Sequence, residues 1–183
     1  NSYIRYPSEW ERTQEVFHIL DKQTSNNVEI TVACAVQALN VYYLPDFIKW
    51  KLEQGFNKIN MWPFGAGGIN YHFVYHPPHL NVKILPAWFK AKCREKYEQF
   101  YPWWEANWEK SIPSWHKGRV TYEEWREADY GIKRLEGMLS FMESEDWSIR
   151  LPEMREFVAL CDRQRNNSFS GTFPEMKDIF DDI

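Results

Sequence analysis

Three histidines in the middle of the chain have a spacing that a metal site can use. His72, His76 and His79 are four and three positions apart, which on a helix would bring their imidazoles to one face as metal ligands. Pro77 and Pro78 lie between them and interrupt such a helix. No neighbouring Cys or carboxylate pattern completes a tetrahedral set. We therefore predict solvent-facing or hydrogen-bonded loop histidines and no metal site.

A glycine-rich segment at 65–68 follows a predicted strand, which is where a phosphate-binding loop would lie. The segment lacks a Gly-Lys-Ser/Thr ending and a following helix, so a flexible turn is the better interpretation. No Ser or Cys carries a recognisable nucleophile signature, and acidic pairs such as Glu123 and Glu124 are typical of solvated surface. These motifs do not identify a reaction.

Aromatic residues reach 17% of the chain, and many of them lie between residues 101 and 125. Exposed rings in this segment would stack on sugars or bases, whereas aromatic stripes at helical spacing usually belong to a core. We predict a core or domain contact, and keep two alternatives: an aromatic-rich module that binds peptide or glycan, and a structural remnant. The residues concerned are Tyr101, Trp103, Trp104, Trp108, Trp115 and Trp125.

The first half of the chain predicts alternating helices and strands. A capping-box pattern from Ser8 to Glu11 predicts a helix over 8–22. Residues 28–36 alternate with period two, so one strand face is bulky and the other is small or polar, as expected beside a cavity. A helix over 45–54 and a strand over 58–62 complete a right-handed parallel crossover. Residues 63–80 are rich in Gly and Pro and predict a loop.

The second half predicts mainly helix. Val82, Ile84 and Leu85 suggest one more short strand, and Pro86 then opens a helix from Ala87 to about Phe100. A second capping box at 121–124 starts a helix that we expect to run to about residue 143. A further helix is expected over about 152–166.

Charge and cysteine content exclude several classes of protein. A net charge of -4 over 183 residues gives no broad electrostatic footprint for nucleic acid. No apolar run is long enough to span a membrane. Three scattered cysteines make neither a disulfide framework nor a CxxC metal site, which fits a reducing, cytoplasmic location. The chain begins at Asn1 without an initiator Met, so we expect it to be part of a longer protein.

Several segments, in order along nearly the whole chain, resemble radical S-adenosylmethionine proteins of the twitch-domain type. Residues 3–11 (YIRYPSEWE) resemble the family just after its fourth barrel strand, and residues 36–45 (VQALNVYYLP) resemble its fifth strand and exit. Residues 53–56 (EQGF) and 80–86 (LNVKILP) match a helix end and a proline-bounded segment. Near the C-terminus, Asp162, Arg165, Asn166 and 173–175 (FPE) resemble the family's ending.

The resemblance implies an α/β fold: the C-terminal portion of a partial (β/α)6 TIM-like barrel over residues 1–86, with a helical extension over 87–183 packed on it. It also implies a cavity for S-adenosylmethionine and substrate, a peptide or small molecule. In the family a [4Fe-4S] cluster reduces the cofactor to a 5′-deoxyadenosyl radical. Arg5, at the barrel mouth, matches a family Arg that lies near the cofactor carboxylate, where a guanidinium would bind in a bidentate manner; a surface ion pair is the alternative. Asn40 and Asn60 are further cofactor candidates, and Asn40 has an alternative role in ordering its loop.

The chain departs from this family in its cysteines. The family's CxxxCxxC motif is absent, and Cys34, Cys93 and Cys161 are too far apart in sequence to replace it. We therefore expect a fragment of a radical S-adenosylmethionine enzyme that is inactive alone and retains neither the cofactor nor the cluster. Its expected partner is the missing N-terminal part of the barrel.

Overall fold

Two parallel strands and seven α-helices make up the regular structure in the described part of the chain. A computed structural model describes residues 2–23, 27, 30–59, 68–112, 117–128 and 131–181. The strands are β1 (Val32–Val36) and β2 (Ile69–Phe73). The helices are α1 (Trp10–Asp21), α2 (Leu44–Glu53), α3 (Ala87–Ala106), α4 (Tyr122–Glu127), α5 (Ile132–Glu143), α6 (Leu151–Arg165) and α7 (Phe169–Thr172).

The strand that pairs with β1 is not the one predicted from sequence. The pairing is parallel, as expected, but β1 lies beside Ile69–Phe73 with Val32 opposite Ile69 and Val36 opposite Phe73. Lys58 and Ile59, the first residues of the predicted 58–62 strand, lie in a turn, and 60–62 fall outside the described residues. The predicted 63–80 loop therefore contains a strand. Its glycines and prolines flank the alternating Ile69, Tyr71 and Phe73 without entering the strand.

The short strand predicted near 82–85 is also wrong, because these residues form a 3-10 helix, Val82–Ile84. The Asn81 side chain caps it by accepting a hydrogen bond from the Lys83 backbone N–H at 2.9 Å. The hydrogen bond is thus made locally, so no partner strand is needed. Leu85 and this 3-10 helix are buried in the core.

The helical predictions hold in outline, with two kinds of difference. The single helix predicted from residue 121 to about 143 is wrong, because Ala128 is extended and ends α4, and α5 begins only at Ile132. The other helices differ at their ends. The N-cap of α1 is Glu9, without a side-chain hydrogen bond, so the capping box predicted at Ser8 is wrong. Thr13 forms the local bond instead, donating from Oγ1 to the Glu9 carbonyl at 2.9 Å. The capping box at Thr121 is confirmed. Helix α3 continues past the expected end, through Pro102 to Ala106, because Trp104 is fully buried in its last turns.

One core connects the first segment of the chain to its C-terminal helices. Tyr3 is almost fully buried, and its hydroxyl donates to Asp162 Oδ1 at 2.8 Å. Arg165 donates to the Tyr3 carbonyl at 2.8 Å, while Asp162 Oδ2 accepts from the Phe169 backbone N–H at 3.0 Å. Two residues of the C-terminal motif noted in the sequence, Asp162 and Arg165, therefore fasten the N-terminal segment to α6.

Replacing Tyr3 with Phe should lower the free energy of unfolding by about 1–2 kcal/mol, because Asp162 Oδ1 then loses its donor in a partly buried site. Tyr6→Phe is the matched control, since Tyr6 is 56% exposed. It should change stability by less than about 0.5 kcal/mol. Urea unfolding of the two variants measures the difference, and equal losses would contradict the role assigned to the Tyr3 hydroxyl.

Candidate functional site

A cavity of about 900 Å³ lies along β1, and it collects residues from three parts of the chain. The segment before α1 contributes Arg5, β1 contributes Ala33 and Ala35, and α2 contributes Phe47 and Trp50. The volume lies within the range of small-molecule sites, roughly 300–1,000 Å³. The small side chains expected on one face of this strand do border a cavity.

The outer edge of β1 opens onto this cavity. The Val36 carbonyl accepts from the Val74 N–H on the side of β2, and since backbone groups alternate along a strand, odd-numbered residues of β1 point to the other edge. Asn40 covers the end of that edge, donating to the Ala35 carbonyl and accepting from the Gln37 N–H, both at 2.8 Å. No other described residue hydrogen-bonds to the backbone of Ala33 at this outer edge of β1.

The outer edge of β2 is covered instead. The Tyr71 carbonyl points away from β1, and Arg134 of α5 donates to it from Nη2 at 3.3 Å. A side chain placed over an edge carbonyl blocks the pairing of a further strand. Further strands would therefore join this sheet beside β1, along the wall of the cavity.

Of the three residues predicted to bind cofactor, two lie in the cavity wall. Arg5 is exposed and makes no ion pair with another described residue, so its guanidinium is available to a ligand. Asn40 orders the exit of β1 through both ends of its amide, which is the structural role weighed for it. Asn60 lies outside the described residues.

Gln37 is a wall residue that the sequence analysis did not select. It follows β1 directly, is only 6% exposed, and its Oε1 has no hydrogen-bond partner among the described residues. A buried carbonyl oxygen without a donor costs about 1–3 kcal/mol, so a bound donor would be favoured there. Its position immediately after a strand was the available signal, since ligands bind at the carboxyl ends of parallel strands.

A hydrogen bond to the C-terminal segment supports the cavity wall at Tyr43. The Tyr43 hydroxyl donates to the Glu175 carboxylate. Burial and this carboxylate raise the pKa of Tyr43. Burial opposes ionisation of Glu175, but the Tyr43 bond, with the Lys92 and Lys96 cations, gives a net lowering of the Glu175 pKa. The proton therefore stays on the tyrosine, and Glu175, from the FPE motif, holds Tyr43 in place.

The cysteines do not form a cluster site in the described chain. Cys34 lines the cavity, where burial raises the pKa of its thiol to about 11 and the neighbouring Arg5 offsets this only in part. Cys93 and Cys161 are buried elsewhere in the core.

No group of three or more His, Cys, Asp or Glu side chains suited to a metal is present among the described residues. Of the three histidines predicted to lie in a loop, only His76 is an exposed loop residue. His72 is an exposed residue of β2, and His79 lies in a 3-10 helix with a buried Nε2 that has no hydrogen-bond partner among the described residues.

The tryptophan-rich segment belongs mainly to the core. Trp104 and Trp125 are fully buried, with ring centroids 5.2 Å apart at an interplanar angle of 88°. Trp103 and Trp108 are partly buried, and Trp115 lies outside the described residues. Crossed, buried rings do not provide the flat exposed platform that a glycan or peptide module requires.

Comparison with known proteins gave no relative: no family model, no curated protein and no solved structure matches this chain. Only the chemistry of the site itself therefore bears on function. Of the helices in the described part of the chain, none combines the length and the apolar character needed to cross a membrane.

Proposed function

We propose that this chain forms part of the wall of an S-adenosylmethionine and substrate cavity in a cytoplasmic radical S-adenosylmethionine enzyme. The observation that carries the proposal is that Arg5 and Asn40, which the family resemblance selects from distant segments, line one cavity at the carboxyl end of β1. A structural remnant would have a filled strand face and satisfied polar groups. The open face at Ala33 and Ala35 favours a ligand cavity instead, as does the Oε1 of Gln37, which has no hydrogen-bond partner in the described part of the chain.

The wall residues fit S-adenosylmethionine but do not fit the iron–sulfur cluster. Arg5 offers a guanidinium to the cofactor carboxylate, and Gln37 offers an acceptor to one of its donors. In the family that the chain resembles, this cofactor supplies hydrogen-abstracting chemistry. The three cysteines are not gathered into a site, so the chain is inactive alone and needs another polypeptide segment to hold the cluster.

The two sheet edges support the partner proposed for this chain, the missing N-terminal part of a (β/α)6 barrel. Further strands of that barrel would pair with β1 at the backbone of Ala33, to which no other described residue hydrogen-bonds, opposite the edge that Arg134 covers. Their addition would close the open side of the cavity. The helical part from residue 87 onward packs against the same core and supports the wall from behind.

The chain alone is not expected to retain the cofactor through purification, but its part of the wall should bind added S-adenosylmethionine in the millimolar range, and calorimetric titration tests this. Arg5→Lys should weaken binding about tenfold, because an ammonium is a point charge and cannot make two parallel hydrogen bonds to a carboxylate. The melting temperature should stay unchanged, since Arg5 is exposed. Arg119→Lys, at an exposed arginine outside the lining of this cavity, is the control. Equal affinities for Arg5→Lys and the original chain would remove Arg5 from the site.

A further inference from the structure

Three aromatic rings form a corner in the wall of the same cavity. Phe47 and Trp50 of α2 are nearly parallel, at an interplanar angle of 14° with centroids 5.8 Å apart. Trp10 of α1 stands against both, at 63° to Trp50 and 73° to Phe47. All three are partly exposed and line the cavity. We call these three residues the aromatic corner.

The cavity wall carries two residues of opposite charge, which come from different segments of the chain. Arg5 comes from the segment before α1, while Asp46 lies on α2 next to Phe47. Asp46 binds Lys96 at 2.5 Å and remains 62% exposed. Arg5 and Asp46 are the only charged residues in the lining given by the described chain. A ligand that carries both a carboxylate and a cationic centre matches these two charges, of which Asp46 is already paired with Lys96.

Aromatic faces carry negative potential, and two or more rings set at an angle are the usual way to hold a cation that cannot donate hydrogen bonds. A sulfonium is such a cation. We infer that the aromatic corner recognises the positively charged sulfonium of S-adenosylmethionine by cation–π contact, so that the cavity distinguishes it from the neutral thioether left when the methyl group is lost. This inference rests on the proposed function, because it assumes that ligand.

The direct test compares S-adenosylmethionine with S-adenosylhomocysteine, which has the same adenosine, amino and carboxylate groups but no charge on sulfur. Calorimetric titration of the chain should show about three- to tenfold tighter binding of the sulfonium ligand. Trp50→Leu should reduce this preference to about one. Trp50→Phe keeps a ring and should keep most of the preference.

Two further variants separate the corner from the rest of the site. Arg5→Lys should weaken both ligands by the same factor and leave their ratio unchanged. Trp50 packs against both Trp10 and Phe17 of α1, so Trp50→Leu could loosen that helix. Phe47 contacts only Trp10 among the described aromatic rings of α1, so Phe47→Leu tests the aromatic corner with less disturbance of α1.

The outcomes separate the two proposals. Equal affinity for both ligands in the original chain, or a preference that survives both Trp50→Leu and Phe47→Leu, would overturn the inference and leave the cavity assignment standing. Absence of binding of either ligand at roughly 10 mM would overturn both, because an affinity weaker than the millimolar range is not that of a ligand site.

Discussion

Gly131→Ala should destabilise the chain by about 3 kcal/mol, the largest effect we expect from a single methyl group. Gly131 is the N-cap of α5, and a Cβ built on it would lie 1.8 Å from the Trp125 carbonyl oxygen. That oxygen belongs to the backbone of α4 and cannot rotate away. Relief therefore requires α4 and α5 to move apart, which disturbs packing around the fully buried Trp125.

Gly137→Ala is the matched control, because it adds the same methyl group to the same helix. No atom of the described residues lies within 4 Å of a Cβ at Gly137, which is exposed in the interior of α5. Alanine should there stabilise the chain by about 0.5–1 kcal/mol through its higher helix propensity. Thermal melts should show Gly131→Ala lowered by roughly 6–12 °C and Gly137→Ala slightly raised. A loss at Gly131 no larger than about 0.5 kcal/mol would show that α4 and α5 are not in close contact.

This glycine also explains one error of the sequence analysis. The capping box at Thr121 and the apolar spacing predicted one helix to about residue 143, whereas α4 ends at Glu127, followed by an extended Ala128, and α5 begins at Ile132. Periodicity reports which residues face a core, and both helices face the same one. The close approach of Gly131 to Trp125 is a tertiary contact, and it leaves no periodic signal in the sequence.

The strands show the same limit. The alternation predicted a strand over 28–36, and the structure has the shorter β1, Val32–Val36, with residues 30 and 31 outside it and 28 and 29 not among the described residues. The cavity-facing side was correctly predicted, since Ala33 and Ala35 line the cavity. The partner strand was missed since neighbouring Gly and Pro obscured the shorter alternation of Ile69, Tyr71 and Phe73. Pairing of distant segments depends on the whole fold, so a parallel partner for β1 was predicted but the wrong segment, 58–62, was chosen for it.

The candidate site was predictable to a similar extent. Arg5 and Asn40 were selected through motif resemblance, and their presence in one cavity depends on how the segment before α1 packs beside β1. Gln37 and the aromatic corner carried no motif. Trp10, Phe47 and Trp50 fit an ordinary apolar helix face, and only the cavity beside them distinguishes that face from core.

A pH dependence of stability should arise from Lys51, which is fully buried in α2. Burial lowers the pKa of its ammonium to about 7, and the Asp21 carboxylate counters this only in part. In the unfolded chain a lysine titrates near 10.4. Between these values the unfolded chain binds one more proton than the folded chain, so the free energy of unfolding rises with pH.

The rise from pH 7 to pH 9 should be about 2 kcal/mol, since each pH unit contributes up to about 1.4 kcal/mol once the folded amine is neutral. Above about pH 10 the trend should reverse, because burial raises the pKa of Tyr71 and Tyr97 and their ionisation then favours the unfolded chain. Urea unfolding at pH 7, 8 and 9 measures the slope.

Lys51→Met removes the titrating amine and should flatten the dependence over this range. Lys49→Met is the control, because Lys49 lies on the same helix but is exposed, and it should retain the slope of the original chain. The Asp21 carboxylate accepts backbone N–H groups from Asn57, Lys58 and Ile59 at 2.8–3.1 Å, so α1 and the turn after α2 keep their connection in both variants. A slope that persists in Lys51→Met would assign the pH dependence to another group and place the Lys51 ammonium in contact with water.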